Sequence, residues 1–394
     1  MAGPSLLGIV NPDLLKWARI ACSMDEDTAA KRIAVKRDKL DAWENGATAP
    51  TITQLRKAAL VYHRAVSFFF LNERPAAARK PTDFRQIELS ATDHATPELA
   101  NAIREAQAKR DSALDIYREI EESPPEFGID IEPDTPPDDA GTMLLNQLGV
   151  TFVQRDTWSD DYAALRAWRT AAEAMGIFVM QVSGVSLDEM RGCSLALFPL
   201  PIVLLNSSDR PLGRVFTLLH ELMHLASRQS ALCDVVEERR RTADAQRIEV
   251  YCNRVAGAAL VPDRQLLSDP DVARAGHAAQ WSDEKLGELR RRFWASREVI
   301  LRRLLILNKT SQSFYQQKRE EFRLEYAQLR EERGSRFVPF PRRIVLGNGR
   351  LLTGLVIDAY DSRVITGSAL SRILGTKLDH LPKIVAELQG RDAA

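Results

Sequence analysis

No run of 18 apolar residues occurs in this 394-residue chain, and its N-terminus lacks the basic-then-hydrophobic order of a secretory signal. Neither a membrane span nor export is therefore expected. Cysteine is scarce: Cys22, Cys193, Cys233 and Cys252 are scattered, with no Cys-x-x-Cys pair, which sets aside a zinc ribbon, a dithiol redox centre and a disulfide scaffold. Net charge is lacking as well. The 54 Lys plus Arg balance 54 Asp plus Glu, so wholesale coating of nucleic acid or of an anionic membrane is excluded. What remains is the composition of a cytoplasmic protein, 45% hydrophobic and 27% charged, long enough for two or three domains with substantial cores.

Histidine is also rare, with six in all, yet two of them fall within one apolar stretch, VFTLLHELMHLASR at 215–228. As a helix this stretch is hydrophobic on nearly every face, so it predicts a buried helix carrying His220, Glu221 and His224 where apolar residues would pack better. His-Glu-x-x-His places two imidazoles one turn apart on one face, where both reach a single zinc ion at about 2.0–2.1 Å. Glu221 then projects beside the metal and suits a general base that takes a proton from water as it attacks a carbonyl. At this content of histidine and glutamate the five-residue pattern arises by chance on the order of once in 170 chains.

A catalytic zinc site usually takes three protein ligands. Glu249 is the candidate for the third, in a second helix-like, Ala-rich segment, IEVYCNRVAGAALVP, that stops at Pro262. Asn253, one turn further on, is placed to hydrogen-bond a ligand imidazole. Cys193 and Cys252 lie near these residues, with packing the simpler reading of each against a ligand role. Arg191, Tyr251 and His277 are candidates to hold substrate or an oxyanion, Arg191 weighed equally against a surface ion pair. His63, His94 and His380 read as ordinary histidines.

Four runs in order, Arg191-Gly192, IVLLNSSD at 202–209, FTLLHELMHL and EVYCNRVAGAALVP, resemble the ImmA/IrrE family of metallo-endopeptidases, over roughly residues 95–270. The resemblance implies a zincin-like peptidase region with a small β-sheet beside the His-Glu-x-x-His helix. It also implies cleavage of one dedicated transcriptional repressor as substrate. Zinc is the metal that two histidines and a glutamate favour, with Mn2+ or Fe2+ able to occupy such a set.

Residues 11–75 show apolar positions at helical spacing, with 25–33, a turn at 34–36, and 37–45 forming a helix-turn-helix pattern. The run from Leu14 through AWENGATAPTITQL to FFFL resembles an XRE-type helix-turn-helix domain, assigned to 1–75. Its second helix would offer Lys36, Arg37 and Lys39 to DNA. Against this, residues 1–75 hold 11 Lys plus Arg and 8 Asp plus Glu, a mild excess that suits operator DNA or protein recognition alike.

The expected class is α+β and mostly helical. Loss of periodicity marks 76–94 as a linker, and the peptidase region follows over 95–270. Strands are expected at 177–182, 193–198 and 201–205, with Gly192–Leu195 as a free edge for an extended peptide. The charged stretch 229–246 reads as a solvated insert or a lid. A mainly helical C-terminal subdomain fills 271–394, with a hairpin expected around Gly347-Asn348-Gly349 within 342–355. The competing reading is a DNA-binding regulator or antitoxin-like protein whose metal site is structural or sensory; a third is a peptidase held latent by its own domains. Oligomeric state, activating signal and cleavage site are not legible in the sequence.

Overall fold

The structure, a computed structural model, describes residues 9–22, 24–62, 64, 66–72, 96–132, 134–227, 231–233, 243–332 and 338–390. The linker expected over 76–94, His63, His94 and much of the 229–246 insert lie outside them. The chain divides into two compact units, Met1–Glu105 and Ala106–Ala394.

In the first unit four helices, α1 (Pro12–Ala21), α2 (Glu26–Ile33), α3 (Arg37–Glu44) and α4 (Ile52–Val61), precede a 3-10 turn at Val66–Phe70. Side-chain caps start three of them: Asn11 on α1, Asp25 on α2, and Thr51 with Gln54 in a capping box on α4. Each satisfies backbone N–H groups that a helix start leaves unpaired. Helices α2 and α3 are joined by three residues, the first of which, Ala34, lies in the left-handed region at φ 62°. Leu15, Ile33, Leu40, Trp43, Leu55 and Phe69 close the core. Across it Arg19 donates two hydrogen bonds of 2.8 Å to the buried Glu44 carboxylate.

The long helix α5 (Pro97–Glu119) follows, and the second unit continues with α6 (Pro137–Leu148), α7 (Phe152–Arg155), α8 (Asp161–Ala174), β1 (Phe178–Val182), β2 (Gly192–Leu195), β3 (Ile202–Asn206), α9 (Pro211–Ala226), β4 (Ala231–Cys233) and α10 (Ala243–Leu260). Then come α11 (Asp263–Leu267), α12 (Pro270–Arg274), α13 (Asp283–Phe293), α14 (Arg297–Ile306), α15 (Gln312–Glu332), α16 (Phe340–Asn348), α17 (Arg350–Asp361), α18 (Gly367–Leu374) and α19 (Leu381–Leu388). The protein is a mostly helical α+β fold.

The sheet order is β1-β3-β2-β4, with β1 parallel to β3 and both β2 pairings antiparallel. Strands β2 and β3 are buried throughout, Ser194 and Asn206 included, as expected of strands inside a sheet that a helix covers. Gly192–Leu195 is therefore not an edge: it lies between β3 and β4, because residues 231–233 of the expected insert return to pair with it. The expected hairpin at 342–355 is also absent. Those residues form α16 and α17, and Val345, Leu352 and Val356 bury at helical spacing. The glycine that suggested a turn, Gly349 at φ 81°, ends one helix and begins the next, while Asn348 Nδ2 donates to the carbonyls of Ile344 and Leu374.

Helix α9 is buried at nearly every position from Pro211 to Leu225, and α10 packs beside it. On its other side α10 meets α6 so closely that a Cβ at Gly141 would lie 2.6 Å from Ala258 Cβ; only glycine fits there. The last carbonyls of α10 have no partners within the helix. Two buried arginines take them: Arg155 donates to Leu260 O at 2.6 Å and Ala259 O at 3.1 Å, and Arg303 donates to Val261 O at 3.1 Å. Arg155 is fully buried between the rings of Phe152 and Trp168, and desolvation pulls its pKa down to about 9. Positive charge at this end also suits the helix dipole. Arg155→Met would leave two buried carbonyls unpaired, at about 1–3 kcal/mol each less the relief of a desolvated cation. A net loss of about 2 to 4 kcal/mol is expected, read as a lower urea midpoint.

Candidate metal centre

Positions 220 and 224 fall one turn apart on α9, and Glu249 on α10 faces them. Their Nε2 atoms lie 3.0 Å apart, and Glu249 reaches His220 Nε2 at 3.3 Å and His224 Nε2 at 3.2 Å. Donors held tetrahedrally at about 2.0–2.1 Å stand about 3.3 Å from one another, so these separations match one shared cation. Among the described residues, this trio is the group of ligand-type side chains close enough to hold a metal ion. Both histidines are buried, while the Glu249 side chain keeps 18% of its surface exposed.

The electrostatics point the same way. Burial lowers the pKa of His224, but hydrogen bonds to Cys252 and Glu249 outweigh it and push it up to about 10. Burial raises the Glu249 carboxyl, yet the two imidazoles hold it well below the usual carboxylate range. The three groups thus form a largely buried pocket in which a carboxylate faces two imidazoles. Glu221 is fully buried, and neither of its carboxylate oxygens has a hydrogen-bond partner among the described residues. An unpartnered buried carboxylate costs several kcal/mol, and a cation at its neighbours on the same helix turn would offset that cost. The donor set and this orphaned carboxylate both fit a divalent metal.

The wall beside Glu221 is backbone. A Cβ at Gly192 would stand 2.3 Å from Thr217 Cγ2 and 3.0 Å from Glu221 Oε1, so glycine lets β2 approach α9. The sequence offered a hint in Arg191-Gly192, but not that the glycine touches the acid. Burial first, then the charge of Glu221, push the Cys193 thiol up, and it packs as a neutral group. Cys252 is buried beside His224 but lies outside the ligand trio.

The other sequence candidates are not gathered at this centre. Asn253 makes no hydrogen bond to either imidazole among the described residues, and the Nδ1 atoms of both rings are unpartnered; Cys252, three residues after Glu249, is buried near His224. Arg191 Nη1 pairs with the buried Asp209 at 3.3 Å, and the Tyr326 hydroxyl donates to the same carboxylate. The Tyr251 hydroxyl donates to the Thr135 carbonyl at 2.9 Å, and two positions past Glu249 it projects from another face of α10. His277 is exposed in the segment after α12, and the His380 ring lies 4.6 Å from that of Phe340. In the first unit Arg37 is tied to Glu26 and Asp27 of α2, Lys39 lies over the Trp43 ring, and Lys36 is the N-cap of α3.

Gly192→Ala is expected to overpack this contact by about 1 to 3 kcal/mol, lowering the thermal midpoint. Gly276→Ala, where a Cβ meets nothing within 4 Å, should leave the midpoint unchanged.

No curated protein matches the chain. Residues 172–305, from the end of α8 through most of α14, match the family model of the M78 peptidase group described as the IrrE N-terminal-like domain. That segment contains His220, Glu221, His224 and Glu249, and the match supports a metallopeptidase of the ImmA/IrrE type.

Proposed function

We propose that this protein is a zinc-dependent endopeptidase that cleaves a specific protein substrate, a transcriptional repressor. The observation that carries the reading is the fully buried, unpartnered Glu221 carboxylate beside a His-His-Glu trio. A purely structural metal site has no use for such a base. His220, His224 and Glu249 would hold the ion, with Mn2+ or Fe2+ as substitutes. When bound, the metal supplies Lewis acidity that polarises the scissile carbonyl and acidifies water. Glu221 then accepts the proton of the attacking water and returns it to the leaving amine. The outer side of β4 is the sheet edge nearest β2, so an extended substrate would lie along it by strand addition.

For the first unit we propose an XRE-type helix-turn-helix that recognises the repressor's operator or the repressor itself. Of its three candidate contacts, Lys36 and Lys39 are the freer cations, because Arg37 is engaged by two acids of α2. Operator DNA that fails to shift at low salt would favour the protein-docking role.

Elemental analysis of the purified chain should find near-stoichiometric zinc that is lost in His220→Ala and in Glu249→Ala. Glu221→Gln should keep its zinc and lose at least about 10²-fold in cleavage of the repressor. Retained cleavage in Glu221→Gln would sink the mechanism, and zinc lost only from the histidine variant would remove Glu249 from the ligand set.

A further inference from the structure

The second unit holds an open cleft of about 610 Å3 that shares no residue with the metal centre. It is lined by α8, α16, α17, the end of α19 and the Leu148–Val150 turn. Four guanidinium groups line it, Arg166, Arg169, Arg342 and Arg350, against one carboxylate, Glu387.

Their commitments are unequal. Arg169 is buried; its Nη2 donates to the carbonyls of Val179 and Leu346, and its Nε has no partner. Behind it the buried Glu173 accepts the backbone N–H of Arg350 at 2.8 Å and balances the Arg169 charge. Arg350 donates to the Leu388 carbonyl. Arg342 Nε stands 3.9 Å from Glu387 Oε1, an ion pair too long for a hydrogen bond. Arg166 is exposed and makes no ion pair or hydrogen bond among the described residues. After Glu173 and Glu387 are counted, two positive charges face the cleft without a compensating acid among the described residues. A second wall is apolar, with Leu148, Val150, Trp158, Ala171, Val345 and Leu346.

We propose that this cleft binds a small amphipathic organic oxyanion, a carboxylate or phosphate monoester joined to an apolar body. Planar guanidinium forks match both headgroups, the apolar wall takes the body, and the volume lies in the range of small-molecule sites. Among the described residues no histidine or cysteine lines the cleft, which suits binding rather than reaction. Arg169 also holds the Val179 carbonyl of β1, so an occupant that engages it touches the sheet through one side chain.

Isothermal titration of the full chain with octanoate, phenyl phosphate, inorganic phosphate and hexaglutamate tests the assignment. Octanoate or phenyl phosphate should bind saturably and at least about 10-fold more tightly than inorganic phosphate, the preferred amphiphile naming the headgroup. Arg342→Gln and Arg166→Gln, both at solvent-accessible positions, should each weaken that binding by about 10-fold with no change in thermal midpoint. His220→Ala should leave it unchanged, separating the cleft from the metal centre. Absence of saturable binding by both amphiphiles, equal affinity in the arginine variants, or loss in His220→Ala would overturn the proposal. Inorganic phosphate binding as tightly as the amphiphiles would remove the apolar body, and hexaglutamate binding alone would reassign the cleft to an acidic segment of a protein partner.

Discussion

The register of α10 against α9 is the constraint on which the site depends. His220 and His224 come paired from one helix turn, but the third donor is 25 residues away and meets them only if α10 neither slides nor rotates. Sliding by one residue would turn Glu249 by about 100° and move it 1.5 Å along the axis. The fold resists this at three places: at Gly141, where α6 has no room to give; at the C-terminus, where Arg155 and Arg303 hold three successive carbonyls; and along α9 itself. The arginines are costly to bury, and neither touches the metal centre. They fix, at a distance, the end of the helix that carries Glu249.

How much of this could be read from the chain varied with the range of the interaction. His-Glu-x-x-His is a local pattern whose spacing already sets geometry, so the buried helix was legible. Helix starts were legible for the same reason, because Asp25 and Thr51 act within three residues. Strand pairing was not. Nothing in residues 231–233 announces a partner in Gly192–Leu195, since that pairing is decided by where α9 deposits the chain. Residues 342–355 differ from expectation for a related reason: a Gly-Asn-Gly between apolar runs serves equally as a hairpin tip or as a joint between short helices, and burial of Val345, Leu352 and Val356 favours the helices.

Side-chain partners were the least legible of all. Asn253 shares the helix face of Glu249, yet the Nδ1 atoms of both imidazoles have no partner among the described residues. Arg191 lies next to the glycine at the site but turns to Asp209. In the first unit the same lesson applies to Arg37, which pairs with Glu26 and Asp27 of its own fold. Helical spacing says which residues share a face; it does not say which neighbour arrives from another element.

The backbone wall at Gly192 carries a consequence for how this protein can diverge. With Thr217 and Glu221 at less than a methyl group's clearance, residue 192 is closed to ordinary substitution, so the wall beside Glu221 keeps its shape while the surrounding sequence changes. Sequence change is accommodated more readily farther out, in the strand and connections around it.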